Sequence, residues 1–174
     1  MLKIISILVR NHPGVLSHVA GLFTRRAYNI ESIAAGETEN PAVTRITITV
    51  SGDEAIFAQV TKQLRKLIDV IKIEELPPGE SIARELVLLT IYASMERRQE
   101  LFQIANAFGA TIVDISHTTM TLEFTGNQRK IDTVINALDG FEVKELARTG
   151  IVALPLESQL ERKKELLPEN GILA

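Results

Sequence analysis

Leu2-Lys3-Ile4-Ile5-Ser6-Ile7-Leu8-Val9-Arg10-Asn11-His12-Pro13-Gly14-Val15-Leu16-Ser17-His18-Val19-Ala20-Gly21-Leu22-Phe23 decides the fold, because its apolar period changes in mid-course. Leu2 to Val9 is a short apolar run closed by Arg10 and reads as a strand. Asn11-His12-Pro13-Gly14 is a turn signal. Beyond it Val15, Val19, Leu22 and Phe23 recur at helical spacing, joined by Leu16 and Ala20. Arg25 and Arg26 suit the negative end of a helix dipole, so the helix is expected to stop near Tyr28-Asn29.

Downstream the switches continue in a fixed order. Ile30 to Glu37 reads as a second strand, broken by Thr38-Glu39-Asn40-Pro41. Thr44 to Val50 alternates strictly and is rich in β-branched residues, so it is a third strand. Ser51 or Asp53 is placed to cap a helix whose apolar face is Ile56, Val60, Leu64 and Leu67. Val70 to Leu76 completes the series β-α-β-β-α-β. Pro77-Pro78-Gly79 stops that strand and is the best linker candidate in the chain.

The same order recurs after it. Arg84 to Ala93 is strand-like, and Glu96 to Phe108 is helical and closed by Gly109. Thr111 to Ser116 and Thr119 to Thr125 are two short strands. A helix built on Ile131, Val134, Ile135 and Leu138 is expected to end at Gly140, before a last strand from Phe141 to Ala147. This is an α+β chain of two ferredoxin-like βαββαβ domains, expected over residues 1–76 and 84–154, with a charged tail over 155–174. Ile4, Ile5, Ile7, Leu8 and Val9 cannot all point at the helices. That surplus predicts that a second sheet face or an edge is also covered, most simply by self-association.

Composition removes several function classes. The 174 residues carry a formal net charge of -3, which argues against the basic face of a nucleic-acid binder. A single-stranded RNA binder on this topology needs aromatic residues on its central strands, and Thr44 to Val50 has none. With no cysteine there is no disulfide, thiolate metal site or thiol catalysis. His12, His18 and His117 form no metal-binding motif, and His18 is expected in solvent on a helix surface. Asp114 and Glu123 fall on neighbouring strands, where polar edge positions are commoner than acid–base pairs. No phosphate-binding loop or nucleophile elbow is present. A small hydrolase of acyl phosphates shares the topology and stays as a rival class. The apolar start is too short to span a membrane and no targeting segment is visible, so a cytoplasmic chain without membrane contact is expected.

Two runs carry the functional reading: Asn11 to Leu16, and Tyr28-Asn29-Ile30. The first joins a strand to a helix whose opening N–H groups have no partner inside the helix and favour a carboxylate. Gly14 offers no side chain to block it. Asn11 can meet an α-amino group, and Asn29, beyond the far end of the helix, returns to the sheet edge. Backbone donors with two amides fit a free amino acid. The same residues also fit an ordinary capped turn and a left-handed helix end.

The run Ile7 to Leu16, followed by Gly21 to Ile33 with its Arg26-Ala27-Tyr28-Asn29-Ile30-Glu31-Ser32-Ile33, resembles the ACT-domain family. More narrowly it is similar to the small regulatory subunits of acetolactate synthase, as are Gln63 to Val70 and Ala147 to Val152. The likeness extends to about Leu154. It implies an N-terminal ACT domain that dimerises side by side and binds valine, or another branched-chain amino acid, in the interface. Asn11, Gly14, Val15, Leu16 and Asn29 would carry that site, with Ile30 and Ile33 to Gly36 forming an apolar wall. It implies no catalysis and no cofactor in this chain. A separate catalytic subunit would hold thiamine diphosphate, magnesium and FAD, be activated by this one, and be feedback-inhibited through it. A stand-alone ACT regulator of another amino-acid pathway is the alternative within the family.

Overall fold

In a computed structural model the described residues are 2–26, 28–158 and 160–161. The chain divides into two compact units: residues up to Ile82 together with the described residues from Ala153 onward, and Ala83–Val152.

The first unit contains β1 (Leu2–Arg10), α1 (Val15–Arg25), β2 (Ile30–Glu37), β3 (Val43–Ser51), α2 (Glu54–Leu64) and β4 (Val70–Glu75). Its sheet runs β2-β3-β1-β4, all neighbours antiparallel. Ile5, Ile7 and Val9 of β1 and Ile46, Ile48 and Val50 of β3 point to one face. They pack with Val15, Val19, Leu22 and Phe23 of α1 and Phe57, Val60 and Leu64 of α2. Period 2 meets period 3.6 on one side of the sheet, which is what holds both helices there. Ile4 and Leu8, out of phase with that core face of β1, are half-buried. Between them Ser6 is buried, opposite Thr47 of β3, and Arg45 Nη1 donates to Ser6 Oγ at 2.7 Å.

The second unit repeats the pattern. β5 (Ser81–Tyr92), α3 (Arg98–Phe108), β6 (Thr111–Ile115), β7 (Thr119–Gly126), α4 (Gln128–Ala137) and β8 (Val143–Arg148) give the sheet order β6-β7-β5-β8. Val87, Leu89 and Ile91 of β5 and Met120, Leu122 and Phe124 of β7 face Leu101, Ala105, Ile131 and Val134 of the helices.

The local signals act as their chemistry requires. Asp53 Oδ1 accepts from Ile56 N at 2.8 Å at the start of α2, and Asn127 Oδ1 accepts from Lys130 N at 2.9 Å at the start of α4. Gly109 closes α3 at φ +66°. Three expectations shift. α1 ends at Arg25, because Arg26 N and Tyr28 N both turn back to Phe23 O. α4 ends at Ala137, three residues before Gly140, in a tight turn made by Leu138 N to Ile135 O and Asp139 N to Asn136 O. Pro77-Pro78-Gly79 is a tight turn, with Glu80 N donating to Pro77 O and Gly79 at φ +86°, so β5 starts three residues before the expected Arg84. A short β9 (Val152–Pro155), not expected, pairs β5. Just past it Leu156 N donates to Glu80 O at 2.8 Å, both residues in the first unit. The charged tail expected over 155–174 lies, from 162 on, outside the described residues.

Candidate functional site

The loop between β1 and α1 is built by three attachments. Asn11 N donates to Ala42 O at 2.8 Å, and its Nδ2 donates to Pro41 O at 2.9 Å, so Asn11 is fastened twice to the β2–β3 hairpin. Its Nδ2 also lies 3.5 Å from Glu37 Oε1 at the end of β2. With the donors so engaged, Oδ1 is left as the acceptor of that amide. The third attachment is Asp69, in the loop before β4, whose backbone carbonyl accepts from Arg10 N at 2.9 Å.

Gly14 is the N-cap of α1 at φ +91°, in left-handed backbone, and supplies no side-chain cap. Its carbonyl accepts from His18 N at 3.0 Å. A Cβ built on it would meet nothing within 4 Å, so the ground before the helix is open. No acidic residue occupies the first turn. The positive end of the α1 dipole therefore faces outward without a side-chain anion of its own. Val15 turns into the core and is buried, while Leu16 is half exposed beside the opening.

Asn29 and Ile30 lie elsewhere in the same copy. They stand at the start of β2, and Asn11 stands by its end, so the eight residues of β2 separate them by roughly 26 Å. Asn29 is exposed and donates through Nδ2 to Glu31 Oε1 at 2.6 Å, and Ser51 Oγ donates to the same oxygen at 2.7 Å. Ile30 packs half-buried against the first core. Along the candidate wall Ile33 is 37% exposed and pairs with Ile48. β2 forms the edge of its sheet.

Sequence reasoning missed a cluster under this loop. His12 Nε2 lies 2.8 Å from Asp69 Oδ1, His18 Nδ1 lies 3.3 Å from Asp69 Oδ2, and His12 Nδ1 lies 2.9 Å from Pro13 O. His18 is largely in solvent, as expected for a helix surface, but one edge of its ring touches Asp69. Asp69 itself is nearly buried, at 9% exposed. The Asp69 carboxylate, helped by the Pro13 carbonyl, raises the His12 imidazole above its ordinary value, against burial and the charge of Arg10. His12 and then His18 hold the Asp69 carboxyl below the usual carboxylate value. The spacing of 57 residues between His12 and Asp69 hides this pair from any local motif. Among the described residues no group of three or more His, Cys, Asp or Glu is arranged to hold a metal ion. No helix among them is long and apolar enough to cross a membrane. Asp114 and Glu123 are offset in register, pairing with Thr121 and Thr111 respectively.

Most of the chain has known relatives. Residues 5–72 match the family model described as "AHAS small subunit-like ACT domain", and residues 84–157 match "Small subunit of acetolactate synthase". A "Probable acetolactate synthase small subunit" of Methanothermobacter thermautotrophicus is 49% identical over 152 residues, 87% of this chain and 90% of the relative. The "Acetolactate synthase small subunit" of Mycobacterium bovis is 43% identical over 150 residues, 86% of this chain and 89% of the relative. The solved acetolactate synthase small subunit from Thermotoga maritima superposes with a TM-score of 0.83 at 39% identity, covering 90% of this chain and 98% of that one. With both units matched and relatives above 40% identity along most of their length, the chain belongs to the acetolactate synthase small-subunit family and carries an ACT domain at its N-terminal end.

Proposed function

We propose that this chain activates a catalytic acetolactate synthase subunit and makes it sensitive to valine, or another branched-chain amino acid, bound between two copies of the ACT domain. The observation that carries the site is the outward-facing start of α1 at Gly14, without a side-chain cap or an acidic first turn. Its N–H groups beyond Val15 N, which turns back to His12 O at 3.4 Å, suit the effector carboxylate. Asn11 Oδ1 suits the ammonium group, because the Asn11 donors are already committed to Pro41 and Ala42. Leu16 and Ile33, both partly exposed, suit a branched aliphatic side chain.

Dimerisation supplies Asn29. Two β2 edges pairing antiparallel about a two-fold axis would set the start of one strand beside the end of the other. Asn29 of the partner subunit would then meet Asn11, which stands by the end of β2. In this reading residues 1–76 are the amino-acid-binding domain, 84–154 a second ferredoxin-like domain, and the residues from 155 on a tail. Thiamine diphosphate, magnesium and FAD belong to the catalytic partner, and both subunits work in the cytoplasm.

The deciding assay measures acetolactate formation by the catalytic subunit, alone and with this chain, across added valine. The expected result is higher activity on adding the chain and a fall on adding valine only when the chain is present. Activity indifferent to the chain overturns the regulatory reading. Sedimentation equilibrium of the isolated chain tests the dimer, with a monomer at all concentrations counting against the shared site.

A further inference from the structure

Both ring nitrogens of His12 face acceptors: Nε2 faces the Asp69 carboxylate at 2.8 Å and Nδ1 faces the Pro13 carbonyl at 2.9 Å. A neutral imidazole carries one N–H, so it can serve only one of them and must turn a lone pair toward the other. The doubly protonated ring satisfies both. The geometry therefore belongs to the imidazolium form.

The contact to Pro13 matters because of what lies on the other side of that peptide. A trans peptide holds its C=O and the following N–H in opposite directions. Fixing the Pro13 carbonyl against His12 thus fixes the Gly14 N–H, pointing away from the ring. Gly14, at φ +91° with open space around it, tolerates more than one setting of this peptide plane, and the turn bond that spans it, Val15 N to His12 O, is long at 3.4 Å. Asp69 meanwhile grips the segment on both sides of Gly14, at Arg10 N before it and at the His18 ring after it.

We propose that Asp69 and His12 form a proton-dependent latch that orients the Pro13–Gly14 peptide and so sets the affinity of the β1–α1 loop for the effector carboxylate. The latch rests on the reading of that loop as the effector site. Asp69 acts as a positioning residue, through His12. The groups facing His12 are Asp69 from the loop before β4, Arg10 from β1, and the Pro13 carbonyl; His18 of α1 shares the same carboxylate.

The sign follows from the raised His12 and the lowered Asp69. The charged pair is complete below the ordinary imidazole value of 6.5 and is lost as pH rises through the higher value His12 has in the folded chain. At the acid end it persists until pH falls through an Asp69 value below the ordinary 3.8. Effector affinity is therefore highest in mild acid and falls through neutrality, while free valine stays a zwitterion throughout.

The test is calorimetric titration of the full chain with valine between about pH 5.5 and 8.5, the range in which imidazoles change charge. The expected result is a roughly fivefold weakening with rising pH, the size of one lost hydrogen bond. His12→Gln should bind weakly and without pH dependence, and Asp69→Asn should move the transition to lower pH. Ring-nitrogen NMR of His12 at about pH 6 should show both nitrogens protonated. Valine binding that is equally tight across the range overturns the latch and leaves the effector site standing. Binding at no pH overturns the effector site instead, and the NMR then decides the latch: a singly protonated His12 ring overturns it.

Discussion

Gly14 shows how much a single residue can carry. Its φ of +91° is a region that costs other L-residues roughly 1–2 kcal/mol, yet the space where a Cβ would sit is open. Gly14→Ala should thus fold with a loss of about that size. Gly14→Asp should fold comparably but put an anion where the effector carboxylate is proposed to dock, reducing valine affinity about tenfold or more by calorimetry, while circular dichroism keeps the native signature. Unchanged binding in that variant would remove Gly14 from the site. Glu85 makes a different kind of residue-scale prediction. It is buried, and Arg148 holds both of its oxygens, Nε to Oε1 at 3.0 Å and Nη2 to Oε2 at 2.5 Å. Arg148→Ala leaves that carboxylate without its bidentate partner and should destabilise the chain by about 2 kcal/mol in urea. Residues at this scale were legible only where chemistry is local. Pro13-Gly14 before an apolar helix announces a turn, and Asn11 beside it announces a polar contact. Asp69 with His12, and Glu85 with Arg148, are joined across 57 and 63 residues, and nothing in the neighbourhood of either residue signals the other.

Elements were legible where two signals agreed. Thr44 to Val50 alternates and is β-branched, and it is the centre of β3. Asp53 stands three residues before the N–H it caps. Replacing Asp53 or Asn127 by Ala should each lower stability by about 1 kcal/mol, read from urea midpoints, because each leaves a first-turn N–H without its side-chain acceptor. The same substitution at both sites should be close to additive, since the two caps serve different units. Boundaries were less legible because tight turns end helices without needing glycine. Leu138 and Asp139 close α4 through backbone bonds alone, ahead of the Gly140 that composition favoured. β9 has four residues, too few to show a period, and only its pairing with β5 makes it a strand. The edge strand β2 was legible at both ends, Ile30 and Glu37, because Thr38-Glu39-Asn40-Pro41 breaks it.

At the level of the whole molecule the duplicated order was visible, because four strands and two helices recur in the same sequence around two mainly aliphatic cores. What sequence patterns could not give is the second copy on which a shared site depends. If valine and the catalytic subunit act through one equilibrium, each must change the affinity of the other by the same factor, typically ~5–150-fold. Valine titrations of this chain with and without the catalytic subunit should therefore yield two different dissociation constants, and identical constants would uncouple the proposed effector from regulation. The tie between Leu156 and Glu80 has a further consequence. The first unit is discontinuous, and the second is interpolated between its two segments. During synthesis on the ribosome the interpolated unit emerges entire before the first can be finished. The order of completion in the nascent chain is thus inside-out, and a stall after Ile82 would leave the amino-terminal unit without its closing segment while every residue of its aliphatic core had already been made.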